Sequence, residues 1–194
     1  MSKAKCLCDK CKVVSCDKKK SLAKRKQGKT NRNTGRYAEK LFQKWCESRG
    51  IMVSATVMSG KHKELANQVT SKKYMFSGDF HIEGLTSKRL KVEVKKRQLA
   101  LLQKYYAATK FGDVCHIQGF CFVVSGEMFT EIVCRHKDFN YVPIDDIKHA
   151  LLHSFFDQDN ADIVAMIAKD GSRYLDFVFA IKENVFHKLL KEKE

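Results

Sequence analysis

SGDFHIEGLTSKRLKVEVKKRQ, residues 77–98, is the stretch of the chain that predicts the fold most directly. It is typical of two short strands, 79–83 and 89–95, joined by a turn that contains glycine. Apolar and charged residues alternate in the second strand, and successive side chains of a strand point to opposite faces of a sheet. One face of this strand is therefore apolar, and the other carries Glu93 and Lys95.

The first strand adds a second carboxylate, because the same alternation puts Asp79 on the face opposite to Phe80. Pairing of the two strands brings Asp79 beside Glu93 and Lys95. Two carboxylates supply hard oxygen ligands suited to Mg²⁺, or to Mn²⁺ in its place, and an ammonium group can position the attacking water. An E-x-K triplet also occurs on strands whose polar face is simply solvated, so the interpretation as a site depends on the residues upstream.

The hairpin resembles the signature of the PD-(D/E)xK nuclease superfamily, with Gly78-Asp79 followed by Glu93-Val94-Lys95. Gly78 stands where that family usually has a proline. The resemblance implies that Asp79 and Glu93 bind Mg²⁺ and that the carbonyl of Val94 is a further ligand. It also implies that Lys95 orients the attacking water.

An amphipathic helix is predicted over residues 35–50, in which apolar residues such as Phe42 and Trp45 recur at helical spacing and a glycine ends the pattern. Its start, Gly35-x3-Glu39, resembles the first helix of Holliday-junction resolvases of the PD-(D/E)xK type. The resemblance implies that Glu39 completes the catalytic site through water or a second metal. An ordinary surface glutamate paired with a lysine one turn away is the alternative.

Ser59-Gly60 follows a predicted short strand, 51–58, and resembles the serine and glycine pair that such resolvases place near the phosphate. The resemblance implies that Ser59 supports catalysis, although the same pair is also simple turn chemistry. The loop that leads from this pair to Asp79 is rich in lysine and is suited to a DNA backbone. The residues predicted to bind DNA are Arg32, Arg36, Lys61, Lys63, Lys72, Lys73, Lys96 and Arg97.

The order of predicted elements is helix, strand, hairpin, helix and two β-rich runs, CHIQGFCFVVSG and FTEIVCRH. This order resembles the restriction-endonuclease-like α/β core, in which helices flank a mixed sheet. The resemblance covers residues 34–135. Residues 136–194 are predicted to form a C-terminal α/β extension of the same domain.

Within the extension, Pro143 and the acidic residues after it predict a helix that runs to Phe156. Two strands are predicted around 163–168 and 174–181, joined by a turn at Asp170-Gly171. A basic helix is predicted from residue 183 to the end of the chain.

Positive charge is concentrated at the N-terminus. The formal charge is +15, and residues 1–36 contribute 13 Lys or Arg less Asp9 and Asp17, or +11, which leaves +4 for the remainder. Residues 1–33 are therefore predicted to be a flexible basic tail that tracks a phosphate backbone. Nucleic acid is favoured over a membrane surface, because no amphipathic apolar face accompanies the charge.

The eight cysteines fall into two groups. Four thiols within the tail could close a tetrahedral Zn²⁺ site, and the alternative is a disordered tail whose thiols are unpaired. The other four are scattered in apolar sequence, as in a reduced protein, and no signal peptide is evident, so we expect a cytoplasmic or nuclear location. The tail cysteines are Cys6, Cys8, Cys11 and Cys16, and the scattered ones are Cys46, Cys115, Cys121 and Cys134.

Taken together, the resemblance implies a Mg²⁺-dependent endonuclease that acts on branched DNA in recombination or repair. A homodimer is expected, because a four-way junction needs two symmetric nicks. A repair or restriction-type endonuclease of the same superfamily is one alternative. A non-catalytic nucleic-acid-binding protein that uses the cysteine-rich tail is another.

Overall fold

The structure is a computed structural model. It describes residues 33–56, 79–111, 114–134, 141–143 and 150–191, together with positions 24, 27 and 30. The chain divides into two compact units, Met1–Tyr37 and Ala38–Glu194.

The first unit is described at three isolated positions and at 33–37, and all of these are helical. Lys24, Gln27 and Thr30 are exposed, although the sequence around them predicted a linker without secondary structure. Lysine and glutamine have high helix propensity. A helix exposed to solvent needs no apolar face, so no hydrophobic pattern marks it in the sequence.

The second unit contains an eight-stranded mixed sheet with the strand order β1-β2-β3-β7-β8-β5-β4-β6. The strands are β1 Val53–Ala55, β2 Phe80–Ile82, β3 Leu90–Gln98, β4 Val114–Ile117, β5 Cys121–Ser125, β6 Tyr141–Pro143, β7 Ile163–Asp170 and β8 Arg173–Lys182. The helices are α1 over residues 33–47, of which 38–47 belong to this unit, α2 Leu99–Ala108 with a 3-10 turn at Thr109–Phe111, α3 Gly126–Cys134, α4 Ala150–Asp159 and α5 Glu183–Lys191. The predicted α/β class is therefore confirmed.

Strands β1, β2 and β3 form an antiparallel meander, and β3 then pairs in parallel with β7. The remaining pairs are antiparallel except for β4 with β6. The crossover from β3 to β7 contains α2, β4, β5, α3, β6 and α4. A hairpin at one end of the sheet is thus joined to central strands that come much later in the chain.

Helices cover both faces of the sheet. On one face, residues of α1, α3 and α5 belong to the same buried cluster as Leu90, Val92 and Val94 of β3. On the other face, α2 and α4 pack against the alternate residues of β7, among them Val164 and Met166. A strand covered on both sides is apolar at nearly every position, which is why Ile163–Ala168 is a continuous apolar run.

Helix α1 is anchored through its aromatic residues. Phe42 lies 5.2 Å from the Phe80 ring and 5.7 Å from the Phe177 ring, centroid to centroid. Trp45 donates its indole N–H to Asp176 at 2.9 Å. The helix is followed by Gly50, whose φ of +70° is a backbone conformation that glycine adopts without strain.

One predicted element is wrong, and so is the predicted start of a second. FTEIVCRH was predicted to be β-rich, but Phe129, Ile132 and Val133 are buried at helical spacing within α3. A helix was predicted from Pro143, but Pro143 ends strand β6 and the described part of the following helix begins at Ala150. Strand β6 is at the edge of the sheet, where proline is tolerated because no neighbour needs its missing N–H.

The boundary between core and extension at residue 135 has no counterpart in the sheet. Strands β7 and β8 lie between β3 and β5, in the middle of the strand order. The C-terminal segment therefore supplies central strands and is not a peripheral addition. Among the described residues, no helix has the length and apolar content needed to cross a bilayer.

Candidate active site

Asp79 is held immediately beside Glu93 by three hydrogen bonds. Its backbone N–H donates to the Val92 carbonyl at 2.8 Å, and its carboxylate accepts from the Val94 N–H at 2.9 Å. These two contacts fall on either side of Glu93. The Asp79 carbonyl also accepts from the Thr56 N–H at 2.9 Å, so β3 and the residue that follows β1 together position Asp79.

Glu93 and Lys95 form a close ion pair on β3. The Lys95 Nζ lies 2.6 Å from Glu93 Oε1, and the side chains of Lys95 and Glu93 are only 14% and 9% exposed, respectively. Lys95 Nζ also lies 5.8 Å from the centroid of the Phe155 ring of α4. Burial of two charges costs free energy that only close pairing and further polar contacts offset, so this geometry is strongly constrained.

Glu39 is on α1, and α1 packs on the other face of the sheet from Glu93 and Lys95. Val92 and Val94 contact the α1 face, and alternation along β3 turns Glu93 and Lys95 toward α4. The group that the structure brings together is therefore Asp79, Glu93 and Lys95. Helical periodicity placed Glu39 at the edge of the apolar stripe, but it did not indicate which sheet face the helix covers.

Lys96 and Arg97, both predicted to bind DNA, lie on opposite faces of the sheet. Lys96 Nζ is 5.0 Å from the Tyr174 ring centroid, whereas the Arg97 guanidinium is 4.9 Å from that of Phe155. They cannot contribute to one flat surface, because consecutive residues of a strand alternate. Arg36 is exposed and belongs to the first unit.

Several predicted site residues lie outside the described residues. They are Arg32, Ser59, Lys61, Lys63, Lys72 and Lys73, together with the tail cysteines Cys6, Cys8, Cys11 and Cys16. The predictions for a phosphate contact, a lysine-rich loop and a zinc site therefore stay predictions.

The donor set of the cluster fits Mg²⁺ or Mn²⁺. Mg²⁺ in phosphoryl-transfer sites is held by one or two carboxylates and completes its shell with water and substrate phosphate. Asp79 and Glu93 supply two such carboxylates, and the Val94 carbonyl lies between Glu93 and Lys95 along the chain. Within the described ranges, no group of three or more His, Cys, Asp and Glu is arranged to hold a metal.

Sequence reasoning missed two neighbours of the site. Phe155 of α4 covers Lys95. Asp162 joins the start of β7 to β3, since it accepts from the Lys91 N–H at 2.9 Å and donates its own N–H to the Lys91 carbonyl at 2.9 Å. Both residues come from the segment predicted to be an extension, and local periodicity has no signal for such distant contacts.

His81 is a third neighbour that the sequence did not single out. It is paired in register with Lys91 across β2 and β3. Burial, followed by the nearby Lys91 and Arg89 cations, lowers the pKa of His81 below its ordinary value of 6.5. The imidazole therefore remains neutral at pH 7.

Chemically, the cluster combines two carboxylates, which can hold a divalent cation, with one ammonium group, which can stabilise negative charge. Desolvation under α4 strengthens these electrostatic interactions. No protein-family model, curated protein or solved structure matches this chain.

Proposed function

We propose that the protein is a metal-dependent endonuclease that hydrolyses phosphodiester bonds in branched DNA, most like a Holliday-junction resolvase. The observation that carries the proposal is the pair of hydrogen bonds that join Asp79 to Val92 and Val94, the residues on either side of Glu93. The Nζ atom of Lys95 lies 2.6 Å from the Glu93 carboxylate. The formal charge of +15 supports a polyanionic partner. The restriction-endonuclease-like core is part of the same proposal, supported by the β1-β2-β3 meander with α1 and α2 on opposite faces.

Each residue of the cluster has a separate role in this proposal. Asp79 and Glu93 hold Mg²⁺ or Mn²⁺, and the Val94 carbonyl is a further donor. The ion, when bound, lowers the pKa of a water and neutralises charge on the phosphate. Lys95 donates to the attacking water or to a phosphate oxygen, and its pairing with Glu93 holds it in place. A contribution of Glu39 through water or a second metal, as the resemblance implies, stays a prediction, because α1 packs on the other sheet face.

The direct test replaces Asp79 by Asn and Lys95 by Ala and measures cleavage and binding of a labelled branched DNA. We expect each variant to cleave at least about a hundredfold more slowly, because each substitution removes a group aligned with the reacting phosphate. The amide oxygen in Asp79→Asn can still accept from the Val94 N–H, so the fold and DNA binding should persist. Lys95→Ala is assayed only at temperatures where an unfolding curve shows it to be folded.

Asp170→Asn is the matched control, since it makes the same chemical change at an exposed residue of the β7–β8 turn. It should cut like the wild type. Undiminished cleavage by both Asp79→Asn and Lys95→Ala would end the assignment of this cluster as the catalytic site.

Substrate choice within the superfamily is tested with a four-way junction and a linear duplex at equal concentration. A resolvase should cut paired strands near the branch as a twofold dimer and largely spare the duplex. Equal cutting of both substrates would instead favour a repair or restriction-type endonuclease.

A second candidate function is non-catalytic nucleic-acid binding. The burial of Glu93 and Lys95 under Phe155 favours it, because a buried ion pair can act as a structural contact between β3 and α4 without a catalytic role. In that case deletion of residues 1–33 should remove all nucleic-acid binding. For a nuclease, the same deletion should weaken binding and lower its salt dependence, yet leave Mg²⁺-dependent cutting.

The thiols support a location in a reducing compartment, which we propose to be the cytoplasm or nucleus. Cys46, Cys115 and Cys121 are buried thiols. Burial raises the pKa of Cys46 to about 12 and raises that of Cys121 further. Such thiols are unreactive packing groups and would not serve as metal ligands or nucleophiles.

A further inference from the structure

A basic pocket of about 370 Å³ lies beside the start of β3 and is separate from the carboxylate cluster. It is formed by the turn between β2 and β3, the first residues of β3, the start of β7 and one face of α5. Four cationic side chains line it, namely Lys88, Arg89, Lys91 and Lys188, and the carboxylate among the described lining residues is Asp162.

The cationic side chains of this pocket outnumber its carboxylates, whereas a salt-bridge network would have similar numbers of both. Four cations and one carboxylate leave a formal excess of +3. Asp162 already accepts the Lys91 backbone N–H at 2.9 Å. Arg89 pairs with Glu83 at 3.3 Å, but their side chains are 70% and 37% exposed, and exposed pairs are weak and easily exchanged.

The pocket lies at the start of β3, and α5, which contributes Lys188 to it, covers the sheet face opposite to Glu93 and Lys95. Lys91 and Glu93 are two residues apart on the same face of β3, which corresponds to about 7 Å along a strand. The first turn of α5 supplies Asn184 and Val185 to the lining, so the positive end of this helix faces the same space.

We propose that this pocket binds a backbone phosphate of the nucleic acid, a different phosphate from the one held at Asp79, Glu93 and Lys95. Lys88, Lys91 and Lys188 supply the charge, and Asp162 fixes the backbone that carries Lys91. The inference rests on the proposed function for the identity of the polyanion. Its contribution is positioning of the strand, so it can be tested by binding alone.

The test is a double variant of the full chain, Lys88→Glu with Lys188→Glu, and the readout is the Kd for a labelled four-way DNA junction in EDTA at several salt concentrations. Lys110→Glu with Lys191→Glu is the matched control, because both residues are exposed lysines outside the lining. The two doubles have identical net charge, so a difference between them reports position and not total charge.

We expect the pocket double to bind at least about tenfold more weakly than the control double. The slope of log K against log salt should also become shallower by about 0.9 for each phosphate that the variant no longer neutralises. Equal affinities and equal slopes for the two doubles would overturn the inference. Thermal unfolding followed by Trp45 fluorescence confirms folding, and the Gln doubles at the same positions replace the Glu doubles if either fails to fold.

Two further outcomes separate the inference from its neighbours. If the wild type does not cut DNA in the presence of Mg²⁺ while the pocket double binds DNA more weakly than the control double, the nuclease proposal fails and the phosphate pocket stands. If the pocket instead binds free phosphate, inorganic phosphate should raise the unfolding temperature of the wild type more than chloride does at equal ionic strength. The pocket double should then bind DNA with the same Kd as the control double. That result would overturn the assignment to a nucleic-acid backbone.

Discussion

Lys95 is the residue of the site whose side chain is held most closely by its surroundings. Its side chain is 14% exposed, and its ammonium group lies between the Glu93 carboxylate and the Phe155 ring. Removal of one partner of a buried pair leaves the other as an uncompensated charge, which costs more than the pair contributes. The same side chain is therefore expected to matter for stability as well as for hydrolysis.

We predict that Lys95→Met lowers the free energy of unfolding by about 3–5 kcal/mol, since Glu93 would remain buried without this cation. Urea unfolding measures the change. Lys96→Met is the control, because Lys96 is the next residue and stacks over Tyr174 at 5.0 Å, a contact worth about 0.5–1 kcal/mol. Equal small decreases in the two variants would show that the pair is solvated and not buried.

His81 makes the stability of the fold depend on pH. Its pKa is lowered in the folded state, chiefly by burial and then by Lys91 and Arg89, from an ordinary value of 6.5. His81 therefore takes up its proton at a higher pH in the unfolded chain than in the folded chain, and the free energy of unfolding should fall as pH decreases through and below 6.5. Above it, the contribution of His81 is fully present.

The measurement is urea unfolding of the wild type and of His81→Gln at intervals from about pH 8 to pH 5. The variant should show a smaller decrease below pH 6.5 than the wild type. Identical pH profiles for the two proteins would contradict the role given to His81.

At the scale of elements, the passage from β5 into α3 depends on close packing at Gly126. A Cβ atom there would lie 3.1 Å from the Phe177 carbonyl oxygen and 3.0 Å from the Trp45 ring. The carbonyl belongs to β8 and cannot move without disturbing a central strand. Trp45 is held by its hydrogen bond to Asp176, so it cannot move freely either.

We predict that Gly126→Ala destabilises the protein by about 1–3 kcal/mol through this overpacking. It should also alter the fluorescence of Trp45, which is the only tryptophan of the chain. Glu127→Ala, at the next and exposed position of the same helix, should change neither property substantially. A Gly126→Ala variant as stable as that control would contradict the predicted contact.

Elements with a long or regular pattern could be predicted from sequence. The β2–β3 hairpin, strands β7 and β8 with their turn, and α5 were all predicted at nearly their observed positions. Helix α3 was not, because eight residues rich in β-branched and apolar side chains fit either period. The element that contains Pro143 was ambiguous for a related reason, since proline is common at the first position of a helix and is also tolerated on an edge strand.

At the scale of the whole molecule, the order of the strands in the sheet could not be predicted from sequence patterns. Val92 pairs with Ile163 in a neighbouring strand, and nothing local to either residue identifies its partner. The grouping of Asp79 with Glu93 is local and was predicted from alternation in one hairpin. The cover by Phe155 and the lysine pocket depend on β7, α4 and α5, so only the folded chain reveals them.

The central claim is that Asp79, Glu93 and Lys95 hold a divalent cation against a DNA phosphate. The measurement that tests it most directly is a time course of cleavage of a labelled four-way junction, with Mg²⁺ and with EDTA, by the wild type and by Glu93→Gln. We predict cleavage only by the wild type and only with Mg²⁺. Cleavage that proceeds in EDTA, or that Glu93→Gln performs at the wild-type rate, would contradict the claim.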